Sequence, residues 1–225
     1  MKAFKVDLDN SKNQSILKPN SRPSNNQAHQ VNEAAEKIDK LIQNAKHSND
    51  DIVLKRNEIK EAFFSPFKPQ LKNAQVFLSH SHADKNEALK VKGYLEEYLD
   101  AECVFIDSLF WDYKDDVLNK LAKYDDISRI KDAFTLILRE SLQDMIEKCP
   151  YFVFLQSKNS VSLNQGLSQI TYSAWIYEEL KIAHSISESR PIPMMESMQV
   201  FHDISPFLES FETITLKKLS QQINS

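Results

Sequence analysis

Glycine is almost missing from this chain: Gly93 and Gly166 are the two in 225 residues. That excludes the P-loop and the dinucleotide fingerprint, which need several glycines so that backbone can approach phosphate closely. Any nucleotide bound here must be held by side chains. Cysteine is nearly as scarce. Cys103 and Cys149 sit in or beside apolar runs, too few for a disulfide framework, and read as buried thiols of a reducing compartment. No apolar run approaches the roughly 20 residues of a membrane span. The opening MKAFKVDLDNSKNQ turns polar before a signal-peptide core can form, so a cytoplasmic protein is expected. An excess of basic charge is also lacking. The net charge of −4 gives no electrostatic case for nucleic acid as a partner. What is present, 41% hydrophobic and 27% charged residues, is ordinary for a globular domain. The length fits one good-sized domain plus an extension.

Residues 1–30 are rich in Asn, Ser, Gln and Lys without periodicity, and are expected to form a flexible polar tail. Val31, Ala34, Ala35, Ile38, Leu41, Ile42 and Ala45 then follow one-face helical spacing. Asp50 and Asp51 suit the cap of a second helix running to about Phe64. Ser65-Pro66-Phe67-Lys68-Pro69 ends it, because proline lacks an amide donor and restrains its predecessor. Residues 31–70 are therefore read as a helical extension, and residues 71–225 as the main domain.

From Leu71 onward, strand and helix patterns alternate. Strands are predicted at Gln75–Ser79, Cys103–Ile106, Tyr151–Leu155, Pro191–Met195 and Glu212–Leu216, the last before a short polar helix. Helices are predicted at Asn86–Leu99, Phe134–Lys148 and Ser173–Ser185. A charged stretch from Ser108 to about Ala133 and a polar loop over Ser157–Thr171 interrupt them. Apolar strands alternating with helices argue an α/β fold with a parallel sheet covered on both faces. Ligands of such sheets sit at the carboxyl ends of the strands. That rule gathers Ser79–Lys85, Asp107–Trp111 and Gln156–Asn159 on one rim.

The run Val76–Asn86, VFLSHSHADKN, carries His80, His82 and Asp84 in a metal-like alternation. A strand followed by His-x-His-x-Asp opens the signature of zinc hydrolases of the metallo-β-lactamase kind. That signature wants a second histidine after the aspartate, and Lys85 stands there. Only His184 and His202 follow downstream. No metal is expected. The plainer reading has Ser and His side chains capping the next helix, and Asp84 with Lys85 as an exposed ion pair of little energetic worth.

Three stretches together resemble a Toll/interleukin-1 receptor (TIR) domain. Val76-Phe77-Leu78-Ser79-His80-Ser81 with Asp84-Lys85 is similar to the family's first strand and loop, and Val104-Phe105-Ile106-Asp107 to its second strand. Ser173-Ala174-Trp175-Ile176-Tyr177-Glu178-Glu179-Leu180 matches the Ser-x-Trp-x-x-x-Glu-Leu helix of catalytic members. The likeness covers about residues 74–216, with a long insertion at 112–133 and a lengthened loop at 164–171. It implies a flavodoxin-like fold with a parallel sheet of about five strands. It also implies cleavage of the nicotinamide–ribose bond of NAD+, as substrate rather than cofactor, by a glycohydrolase or ADP-ribosyl cyclase of bacterial antiphage signalling. Self-association through the TIR domain, and a downstream effector sensing an ADP-ribose product, are further implications.

The residues admit that chemistry. Trp175 and Glu179 are four apart on a helix and share a face, whereas Glu178 is turned about 100° away. Glu179 is the candidate catalytic carboxylate, with surface pairing to lysines as its alternative. Ser79, His80 and Ser81 are candidate donors to ribose or diphosphate. Trp111 suits stacking on adenine or plugging a long loop; Trp175 suits a ring wall or core packing. Asp107 is read as ordering its own loop. The competing function is a non-catalytic TIR adaptor, for which the helical extension and the insertion are suited.

Overall fold

The structure is a computed structural model that describes residues 1–17, 36–41, 43–44, 56–64, 72–99, 103–106, 115–119, 122, 128–163, 168–187 and 202–224. Its elements begin with β1 (Lys2–Asp7), α1 (Ser11–Gln14) and α2 (Arg56–Phe64). Next come β2 (Val76–Ser79), a 3-10 turn (His82–Asp84), α3 (Lys85–Leu99), β3 (Val104–Ile106), α4 (Ser128–Lys148) and β4 (Tyr151–Gln156). The chain continues through β5 (Ser162–Leu163), β6 (Gln169–Thr171), α5 (Ala174–Ser187) and β7 (His202–Asp203). It closes with α6 (Ser205–Ser210), β8 (Glu212–Thr213) and α7 (Leu216–Ile223). The contacts divide the chain into two units: Met1–Arg22, Asn73–Ser108 and Gln143–Ser225 form one, Pro23–Lys72 and Leu109–Leu142 the other.

The first unit is built on a five-stranded parallel sheet of order β3-β2-β4-β1-β8, the α/β architecture expected. Every residue of β2 and β3 is buried, as are the four central residues of β4. Side chains of a strand alternate between faces, so burial at successive positions means that both faces are covered. One face carries an aromatic row in register. Phe77 stacks on Phe105 and on Phe152, each with ring centres 5.7 Å apart, and Phe152 meets Phe211 edge-on at 5.8 Å. On α3, Ala88, Val91 and Leu95 are buried at helical spacing. Its other side chains close the sheet edge: Glu96 accepts from the Val104 amide at 3.1 Å, and Lys92 donates to the Val104 carbonyl at 2.6 Å. Backbone groups that would otherwise template another strand are thereby occupied. Burial pushes the Cys149 thiol up to about 12, so it is inert as a nucleophile at neutral pH.

The N-terminus departs from expectation. Residues 1–30 were expected to be a polar tail, yet Lys2–Asp7 is an interior strand paired with β4 along its whole length and with β8 on the other side. The reason is a short alternating pattern in which Phe4, Val6 and Leu8 are all buried. Asn13 secures the turn after the strand: its amide donates to the Asp7 carbonyl at 2.7 Å, and its carbonyl oxygen accepts from the Leu216 amide at 3.1 Å. The sheet of the first unit therefore includes residues well before position 71, while the two units divide between Lys72 and Asn73. The strand expected at Pro191–Met195 lies outside the described residues, and β1 fills the position between β4 and β8.

Smaller departures concern loops. Ser157–Thr171, expected to be a polar loop, contributes β5 and β6 to a three-stranded antiparallel sheet with β7. The last helix, expected to be polar, buries Leu216, Leu219 and Ile223. In the second unit the described parts of the two predicted extension helices are helical, at 36–41, 43–44 and 56–64. Among its described residues, Ile38, Ile59, Ala62, Val117, Leu118, Ile137, Leu138 and Leu142 are buried and apolar. The charged stretch ending near Ala133 is helical at 115–119 and again from Ser128, so α4 starts before the expected Phe134. No helix among the described residues is long and apolar enough to cross a membrane.

Candidate functional site

In the order β3-β2-β4-β1-β8, the chain leaves β2 toward β3 and leaves β4 toward the opposite edge. A crevice forms where such connections diverge, outside the carboxyl ends of the two strands. Ser79 is the last residue of β2, in register with Phe154, and β4 runs on to Gln156. Ser79 lies two residues beyond Phe77 and shares its face of the sheet.

Glu179 reaches that position from α5. The helix buries Ile176, Glu179, Leu180, Ala183 and His184, an apolar stripe with one carboxylate in it. Of the two adjacent glutamates Glu179 is 0% exposed, while Glu178 is half-buried. The Ser79 hydroxyl donates to Glu179 Oε2 at 2.6 Å, both groups fully buried. Trp175, one turn before Glu179, is half-buried. Ser173 starts the helix, its hydroxyl accepting from the Ile176 amide at 3.3 Å. Burial, and then the charge of Glu178, push the Tyr177 phenol above its ordinary value. Its ring packs on Phe207 at 5.6 Å.

Beside this pair the loops after β2 and β4 are tied together. Asp84 was expected to form an exposed ion pair with Lys85. It is instead 6% exposed, accepting from the Ser157 hydroxyl and, at 2.6 Å, from the Asn159 side-chain amide. The 3-10 turn His82–Asp84 is what rotates this carboxylate inward, with Lys85 opening α3. The loop after β4 is held from its other side too, the Lys158 amide donating to Asp9 at 3.1 Å. Replacing Asp84 with alanine leaves the donors of Ser157 and Asn159 without their acceptor, at a cost of about 1–3 kcal/mol. A fall of roughly 2–10 °C in unfolding midpoint is expected, read by circular dichroism. Asparagine should rescue it only in part, because its single carbonyl oxygen can accept from Ser157 or from Asn159 but not from both as the two carboxylate oxygens do.

Of the remaining predicted site residues, His80 is buried, Ser81 is half-buried and His82 is exposed. The two imidazoles thus diverge, and no group of three metal-ligating side chains occurs among the described residues. His184 packs against Phe207 at 5.5 Å, with Nδ1 2.9 Å from the Ser210 hydroxyl. Ser210 gives its own proton to the Phe207 carbonyl, so His184 donates from Nδ1 and serves packing. Ser81 makes no side-chain cap bond to the turn it precedes. Trp111 and Asp107 lie outside the described residues. Sequence reasoning missed Ser157 and Asn159 as partners of Asp84; the polar turn Ser157-Lys158-Asn159-Ser160 directly after an apolar strand was the available signal. No protein-family model, curated protein or solved structure matches the chain.

Proposed function

We propose that this chain is a TIR-type enzyme that cleaves the nicotinamide–ribose bond of NAD+, as a glycohydrolase or ADP-ribosyl cyclase, with Glu179 as its catalytic carboxylate. The observation that carries the reading is a buried carboxylate from α5 meeting the last residue of β2 at the divergence of the sheet. An ionised group is costly to bury unless it is paired or used, and buried carboxylates in clefts are functional-site candidates. The motif Ser173-x-Trp175-x-x-x-Glu179-Leu180 adds the family resemblance.

In the chemistry proposed, the ribose C1′–N bond breaks and its electron pair leaves with nicotinamide, which departs neutral and needs little acid catalysis. Positive charge grows on the ribose ring, and a carboxylate beneath it stabilises that oxocarbenium character. Water then adds at C1′ and yields its proton to solvent, giving ADP-ribose; attack by a nitrogen of the same molecule's adenine would give a cyclic product. His80, Ser81 and Trp175 remain candidates for the substrate's ribose, diphosphate and nicotinamide, with Trp111 for adenine. A role in bacterial antiphage signalling, in the cytoplasm, with self-association and an effector that senses the product, belongs to the same proposal.

The test is direct. The purified full chain is incubated with NAD+ over a wide range of protein concentration, and nicotinamide is followed by chromatography. Release that rises more than linearly with protein supports an enzyme completed by self-association. No release at any concentration, with folded protein, favours the adaptor reading.

A further inference from the structure

We infer that the Ser79–Glu179 hydrogen bond is a latch that keeps the carboxylate shut in the resting chain, and that a ribose hydroxyl of the nucleotide displaces Ser79 from it. The inference rests on the assignment of Glu179 above and concerns how that site is regulated. A carboxylate that acts on a substrate must be reached by it. Here Glu179 and Ser79 are each 0% exposed, and Oε2 accepts a hydroxyl proton at 2.6 Å. The closed arrangement offers the carboxylate a donor of the same chemistry, an aliphatic hydroxyl, that a ribose would bring. Ser79 is therefore a stand-in for substrate at Oε2, and the two compete for that oxygen.

What yields is the contact between helix and strand end. The loops after β2 and β4 are fixed to each other by Asp84, Ser157 and Asn159, so the Ser79 end of the contact is anchored. Opening is a displacement of α5 from β2. Its frequency is set by how strongly the closed form is held, and the Ser79–Glu179 hydrogen bond is the polar contact in that hold, beside the buried apolar residues Ile176, Leu180 and Ala183. A ligand shifts such an equilibrium only by binding the open form better, which a nucleotide with ribose hydroxyls does once α5 has carried Glu179 away from Ser79.

The consequence is opposite to that of an ordinary substrate-binding residue. Removing the Ser79 hydroxyl favours the open form about 10- to 100-fold. Full-length wild type, Ser79→Ala and Ser79→Cys are compared, the cysteine variant keeping volume while donating weakly and serving if alanine does not fold. Two readouts are taken. Carboxyl labelling by a water-soluble carbodiimide with glycine methyl ester, located by peptide mass spectrometry, reports access to Glu179. Nicotinamide release from NAD+ reports activity. The latch predicts that Glu179 labels at least tenfold faster in the variants, and that nicotinamide release rises with it. Equal or slower labelling of Glu179 in folded variants overturns it. Faster labelling with no nicotinamide release from any variant leaves the latch standing and removes the NAD+ assignment.

Discussion

Glu179→Gln is expected to lower nicotinamide release about 10²- to 10⁴-fold, the range seen when a positioned catalytic group is removed, while the unfolding midpoint stays at or above that of wild type. Glutamine keeps the shape of the side chain, and its carbonyl oxygen still accepts the Ser79 hydroxyl that Glu179 accepts at 2.6 Å. It removes the charge and exchanges the second oxygen for an amide donor. An uncharged amide in a fully buried position also avoids the desolvation that a carboxylate suffers there. A purely structural Glu179 would be replaced well by glutamine and badly by alanine, since alanine leaves a cavity and a buried hydroxyl without its acceptor. A catalytic Glu179 is replaced well by neither. Nicotinamide release and thermal unfolding, measured on wild type and both variants, separate the two roles. Turnover by Glu179→Gln equal to wild type ends the assignment.

The geometry of the candidate site was legible in part, and the limits are physical. Helical geometry distinguishes Glu179 from Glu178 because adjacent residues point about 100° apart, and the neighbours Ile176, Leu180 and Ala183 mark which side is inward. No periodicity states which turn of α5 lies over β2. Ser79 and Glu179 are 100 positions apart, and their meeting follows from strand order, which local pattern does not encode. Asp84 shows the same limit at shorter range. Beside Lys85 it looks like half of a surface ion pair, but one 3-10 turn redirects it onto Ser157 and Asn159.

The sheet divides similarly. β2, β3 and β4 were readable because strands buried on both faces leave continuous apolar runs. The flank of the sheet was not. β1 carries Lys2, Lys5 and Asp7 between its apolar residues, and a window dominated by Asn, Ser and Gln downstream hid a pattern only six residues long. Lys5 looks foreign to an interior strand, yet its ammonium reaches the Leu208 carbonyl at 2.7 Å. The charged head finds a polar partner while the stem lies along the sheet. Composition averaged over thirty residues is a poor guide where alternation over six decides the structure.

Deleting residues 2–9 is accordingly expected to abolish cooperative unfolding of the sheet unit rather than trim a tail. Phe4, Val6 and Leu8 are each at most 2% exposed. At about 1.5–3 kcal/mol for each buried side chain, their loss removes roughly 5–9 kcal/mol, against the 5–15 kcal/mol that typically holds a domain folded. The ladder suffers as well. β1 is hydrogen-bonded to β4 and to β8, so its removal unpairs one flank of β4 and separates β8 from the sheet. Asn13 would lose the Asp7 carbonyl and with it the geometry that presents its oxygen to the Leu216 amide. A single substitution probes the same strand without truncation: Val6→Asp places a carboxylate at a position that is 0% exposed, with no charge partner designed for it. Far-ultraviolet circular dichroism through a thermal ramp measures both. A truncated chain that melts within about 2 °C of wild type would show that β1 contributes little, since losses of this size correspond to shifts of roughly 10 °C or more.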